Sequence, residues 1–174
     1  MNARSERLAQ RIERGATELA RFAEGLSDTE WRTAIAPDGR TAGVIVHHVA
    51  SVYPIEIHLA TELAHGRAIE GVTWKDVAEM NAAHARAHAT VSRPETLALL
   101  AENSRAAAEA VRRFSDAQLD SAAPASLYAG APVTAQFMIE DHALRHAWHH
   151  LAKIEAALHA TGHGRGSALA TATR

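Results

Sequence analysis

The segment DHALRHAWHHLAKI, Asp141 to Ile154, carries His142, His146, His149 and His150. On a helix advancing about 100° per residue, these four side chains project within an arc of about 100°. Residues four apart stand one turn above each other. The pairs His142/His146 and His146/His150 can therefore each present two imidazoles to one metal ion. Two ligands leave a site incomplete, and a third has to come from another segment.

Working outward, the helix that holds these histidines spans Val133 to His159. Three further long amphipathic patterns precede it. Leu8, Ile12, Ala16, Leu19 and Phe22 mark a helix from Ser5 to Glu24, with Gly25 at its stop. Val44, Ile45, Val49, Val52, Ile55 and Leu59 mark a second from Thr41 to His65, which Pro54 is expected to kink or interrupt. Ser92 with Glu95, and Pro94 in the first turn, open a third from Pro94 to Phe114. Thr73 caps a shorter helix from Trp74 to Ala89. Pro37, Asp38 and Gly39 form a turn, and residues 121–132 form a loop rich in Ala, Pro and Gly. A weak internal echo also stands out. SDTE (Ser27 to Glu30) and SDAQ (Ser115 to Gln118) each follow a long helix, precede a proline-containing loop and lead to a helix with histidines. Four apolar stripes are buried naturally by a four-helix bundle. The expected organisation is one all-α domain over residues 1–160, with a flexible Gly/Ser/Ala/Thr-rich tail over 161–174.

Composition agrees and excludes other classes. The chain has 174 residues, enough to bury a core without staples. It contains 40 alanines, strong helix formers, while aromatic residues are only 5%. With no cysteine, disulfide scaffolds, thiolate zinc sites and cysteine nucleophiles are excluded. A net charge of −2 gives no basic surface for nucleic acid. The charged N-terminus MNARSERLAQRIER has no apolar core of a signal peptide, and no run approaches a membrane span. The expected setting is cytoplasmic.

The second helix offers the third ligand. Periodicity places His48 with Val44, Ile45, Val52, Ile55 and Leu59, toward the apolar core, and His47 on the more polar side with Ser51 and His58. A buried imidazole needs a partner, and a metal shared with His146 and His150 supplies one. Spacing alone also allows hydrogen-bonded core histidines. His84 and His88 have the same four-residue spacing in a polar, alanine-rich stretch and read as exposed and without function. A ferritin-like carboxylate site needs Glu-x-x-His on two helices. Glu62 with His65 matches once, and the fourth helix has no match.

Residues 142–154 resemble the last-helix motif of the DinB-like (YfiT-like) superfamily, in which histidines recur every four residues. TAGVIVHHV, Thr41 to Val49, is similar to that family's second-helix pattern, a Ser or Thr helix start with a histidine seven residues on, here His48. The resemblance extends from about Arg11 to Leu158 and includes SDTEW after the first helix. It implies an up-down-down-up bundle with a long crossover between the second and third long helices. It further implies a divalent metal held by His48, His146 and His150, a homodimer, and activity as a thiol-dependent transferase or isomerase using bacillithiol, mycothiol or glutathione. The chain departs from the pattern outside the ligand set, with Leu151, Ala152 and Lys153 where R-G-Q is common, Arg145 for an asparagine and Arg40 for a tryptophan.

Three imidazoles leave a divalent ion its full charge and an open position, the layout of a catalytic site. Zinc and nickel suit such ligands. With no cysteine present, any thiolate must come from a low-molecular-weight cofactor, with a small-molecule electrophile as its partner. Metal-assisted hydrolysis uses the same parts, and a non-catalytic metal-binding bundle remains the alternative of a different class. Glu56, two turns beyond His48, and His149 are the acid/base candidates. Arg145 is the candidate for binding a cofactor carboxylate.

Overall fold

The computed structural model describes residues 2–35, 39–160 and 162. Helix α1 (Ala3–Glu24) starts on Asn2, whose side chain accepts from the backbone N–H groups of Arg4 and Ser5. It buries Leu8, Ile12, Ala16 and Leu19, the stripe an amphipathic helix must cover. The short α2 (Asp28–Trp31) opens with a capping box between Ser27 and Glu30. A two-residue ribbon, β1 (Ala34–Ile35) against β2 (Arg40–Thr41), leads into α3 (Ala42–Ala64), which Thr41 caps through Val44.

Of the expected kink or interruption at Pro54, the interruption does not occur: α3 runs through it. Proline removes the N–H that would bond to the carbonyl of Ala50 four residues back. The side-chain amide of Asn103 donates to that carbonyl instead, at 2.8 Å. The orphaned acceptor is satisfied from a neighbouring helix, and the proline ring faces solvent.

Helix α4 (Trp74–Ala87) lies in the crossover and buries none of its residues fully. Helix α5 (Arg93–Arg112) and the short α6 (Asp116–Asp120) follow, α6 with a second capping box between Ser115 and Gln118. A second ribbon, β3 (Ala122–Pro124) against β4 (Pro132–Thr134), leads into the last helical run. That run is α7 (Ala135–Met138), a six-residue π-helical segment (Ile139–Leu144) and α8 (Arg145–Ala160). The single helix expected from Val133 thus begins two residues later, because Val133 pairs with Ala123 in the ribbon. The echo between the halves reappears in the element order: long helix, capped short helix, antiparallel ribbon, threonine-capped helix.

Side-chain contacts give the helix directions. Arg112 at the end of α5 pairs with Glu6 (3.0 Å) and Glu13 (2.8 Å) near the start of α1, so these helices are antiparallel. Trp31 lies against Gly43 at the start of α3 and donates to Val91 just before α5, so α3 and α5 run parallel. Arg11 pairs with Glu140 at 2.8 Å, placing the start of the last run beside α1 and parallel to it. The bundle is therefore up-down-down-up, with two small ribbons as the only strands among the described residues. Of the expected turn, only Gly39 is described, at φ +74°. Pro37, Asp38 and, apart from Gly162, the expected tail lie outside the described residues. No helix among them is long and apolar enough to cross a membrane.

Candidate metal centre

His48, His146 and His150 meet between α3 and α8. One nitrogen from each lies within 4.8 Å of the others. The ring of His48 stands edge-on to those of His146 (5.0 Å between centroids) and His150 (5.6 Å). His48 and His150 are buried and His146 half-buried. The helix spacing explains the convergence. His146 and His150 occupy successive turns of α8, and His48 belongs to the buried stripe of α3.

Glu56 sits two turns beyond His48, buried, with Oε1 2.5 Å from His146 Nδ1. A carboxylate oxygen accepts, so Nδ1 carries the hydrogen and Nε2 keeps its lone pair. This is the arrangement by which an outer carboxylate fixes the tautomer of a metal-binding histidine. Nδ1 of His150 is buried with no hydrogen-bond partner among the described residues. Burial, reinforced by the neighbouring His146 and His48, holds the His150 imidazole far below its ordinary pKa and therefore neutral. Convergent imidazoles, that of His150 held neutral and with one nitrogen orphaned, fit a divalent cation.

The other expected site residues occupy the rim. His149 is exposed, its ring 5.1 Å from that of His150, and burial followed by the positive charge of Arg145 lowers its pKa. Arg145 is exposed and donates from Nε to Asp141 Oδ1 (3.0 Å) and the Asp141 carbonyl (3.1 Å). A cavity of about 520 Å³ opens on the triad. Val52, Ile55 and Leu59 of α3, Trp74, Val77 and Met80 of α4, and Leu127 form its apolar wall, while Arg40, Glu56, His142, Arg145, His149 and Lys153 contribute polar groups. The ferritin-like alternative has no counterpart here, since Glu62 pairs with Arg67 and His65 is exposed.

Tyr128 was invisible in the sequence. Its hydroxyl donates to Asp141 Oδ2 at 2.7 Å and stands 2.9 Å from His142 Nε2. Because the hydroxyl hydrogen goes to Asp141, His142 donates its Nε2–H to the phenol oxygen. His142 is thereby committed to the loop. The π-helical segment that holds Asp141 and His142 adds one residue to a turn, the kind of local unwinding that collects at functional sites. No pattern within residues 121–132 marked Tyr128, because its partners lie 13 and 14 positions away.

His84 and His88 correct the expectation of an exposed pair. Both are half-buried, and both rings stack near His47, at 5.1 and 4.2 Å between centroids. Helix α4 folds back on α3, so a stretch that looks polar all round turns one edge inward.

Comparison with known proteins agrees with this architecture. No curated protein matches the chain significantly. Among solved structures, the fold is similar to YfiT from Bacillus subtilis, described as "a probable metal-dependent hydrolase with an unusual four-helix bundle topology". The TM-score is 0.71 at 19% sequence identity, over 93% of this chain and 90% of that one. Residues 11–154 match the model of the DinB superfamily, most of the described bundle and all three converging histidines included, so the chain belongs to the DinB superfamily.

Proposed function

We propose that this protein is a divalent-metal-dependent enzyme that acts on a small, partly apolar molecule, with His48, His146 and His150 as its metal ligands. The observation that carries the reading is the opening of an apolar-walled cavity of about 520 Å³ directly onto the three imidazoles. An ion held there, zinc or nickel by the chemistry of the ligands, supplies Lewis acidity and favours the deprotonated form of a water or thiol near neutral pH.

The chain's own groups do the rest. Glu56 is a positioning residue: it orients His146 and keeps its Nε2 available. Val52, Leu59, Trp74 and Leu127 exclude water from the apolar part of a substrate. Arg40, Arg145 and Lys153 give the cavity cationic groups that suit a carboxylate-bearing molecule, and His149 stands where it can take or give a proton at the rim. With no cysteine in the chain, a thiol enters as a second small molecule, and transfer to that thiol is the first reaction proposed. Hydrolysis is the second, favoured by the likeness to YfiT. A cytoplasmic setting, where reduced thiols are available, and a homodimer complete the proposal.

The test uses tag-free protein loaded with zinc or nickel. It is assayed with a chlorinated nitroaromatic electrophile and several low-molecular-weight thiols, then with activated esters alone. Thiol-dependent turnover that disappears in His150→Ala supports transfer, and turnover without thiol reassigns the enzyme to hydrolysis. No turnover with either class, in protein that holds its metal, would leave a non-catalytic metal-binding bundle.

A further inference from the structure

Helix α3 presents two adjacent histidines to two different flanks. His48 faces the pair His146/His150 on α8, and His47, about 100° round the helix, faces the pair His84/His88 on α4. The second group repeats the first in its composition, one imidazole from α3 and two from successive turns of a neighbour. One nitrogen from each of His47, His84 and His88 lies within 4.8 Å of the others. His47 Nδ1 and His84 Nε2 are 2.9 Å apart, and the His84 and His88 rings lie 4.7 Å apart. Ser51 Oγ also approaches His47 Nδ1, at 3.2 Å. Nδ1 of His84 is buried without a hydrogen-bond partner among the described residues.

We propose that His47, His84 and His88 form a second divalent-metal site, separate from the His48/His146/His150 centre, that ties α4 to α3. The helix terminus favours a cation, against the positive charge of nearby Arg40. His84 lies in the last turn of α4 and His88 caps it, beside the partially negative carbonyl end of the helix. Ligation also ties down the C-terminal end of α4, a helix none of whose residues is fully buried and whose first turn is held by the Trp74 indole donating to the Leu127 carbonyl at 3.1 Å. The ligand set selects metals that prefer imidazole, zinc, nickel or copper(II), over magnesium or calcium. The site fills after the first: it is half-exposed, has no carboxylate, and stands 5.5 Å from the His48 ring, between centroids, where an ion in the first centre repels a second. Because Trp74, Val77 and Met80 of the same helix wall the cavity, filling the site steadies that wall.

The experiment is zinc stoichiometry by equilibrium dialysis and elemental analysis on tag-free protein. Wild type is compared with His84→Ala/His88→Ala and with His146→Ala/His150→Ala, each checked for helix content by circular dichroism. The expected result is one equivalent fewer in the α4 variant, with that equivalent retained by the α8 variant. An α4 variant that binds as much as wild type overturns the second site, and so does an α8 variant that is folded yet binds none. The catalytic centre fails separately, if the α8 variant binds as much as wild type. Hydrogen exchange on wild type gives a reading free of substitutions. Protection of the amides around His84 to His88 rises as the second equivalent enters, and unchanged protection across the zinc titration overturns the proposal.

Discussion

Single residues bear sharply defined loads in this bundle. Gly43 opens α3 against Trp31, and a Cβ there would clash with the indole ring. That indole is held on both sides, donating to the Val91 carbonyl at 3.2 Å and carrying the Arg93 guanidinium 5.2 Å from its centroid. With no room to turn, overpacking makes Gly43→Ala cost about 1–3 kcal/mol, measurable as a lower midpoint in urea; an unchanged midpoint would mean that Trp31 moves freely. Glu56 acts through His146. Glu56→Gln keeps the shape but removes the charge, and zinc affinity should fall by roughly 10–100-fold in competition with a chelator, with little change in helix content. Equal affinity would show that the Glu56 charge does not strengthen His146 as a ligand, since the glutamine amide oxygen can still accept from Nδ1.

Elements show how a local rule yields to its surroundings. Proline in the interior of a helix ordinarily breaks it, yet α3 continues through Pro54 because Asn103 of α5 donates to the Ala50 carbonyl. Asn103→Ala leaves that carbonyl without its partner and is expected to destabilise the fold by about 1–3 kcal/mol, whereas a double variant with Pro54→Ala should recover part of the loss. A double variant no more stable than Asn103→Ala alone would refute the compensation. The π-helical segment has the same lesson. Periodicity treats residues 141–150 as one regular helix, but the first four of them belong to the π-helical segment Ile139–Leu144, and Tyr128 takes both Asp141 and His142 into its own network. Helix α4 was legible as a helix from Thr73, and the capping box with Asp76 is present. Trp74, Val77 and Met80 recur every three positions on the edge that walls the cavity, but the inward turn of His84 and His88 was not legible, because they stand in an alanine-rich, polar stretch.

For the whole molecule, stability links to metal and to protons. An ion that binds only the folded chain adds about 2.7 kcal/mol when present at 100 times its Kd, or roughly 5–11 °C in Tm at this chain length. Zinc should produce such a rise, a chelator should reverse it, and His150→Ala should abolish most of it. The metal-free protein has its own pH dependence. Burial lowers the imidazoles of His47, His142 and His150, and that of His84 to about 4. Their unfolded forms take up protons near pH 6.5 while the folded forms resist. Stability from these groups is full above about pH 6.5 and declines as the pH falls below it. Denaturation with a chelator present should therefore show less stability at pH 5 than at pH 7.5, and equal stability would mean that these rings are not held neutral.

The sequence by itself determined the four long helical runs, their apolar stripes and the helix starts at Thr41, Thr73 and Ser92, because each follows from spacing and from chemistry within a few residues. It also singled out His48, His146 and His150, two by their single-turn spacing and one by its place in a buried stripe. Only the tertiary structure decided what depends on which surfaces meet. The passage of α3 through Pro54 needs an amide from 49 residues away along the chain. The tie between Glu56 and His146 spans 90 positions. The gathering of His84 and His88 beside His47 requires α4 to lie across α3, and nothing within a few residues of either histidine says which helix it will meet.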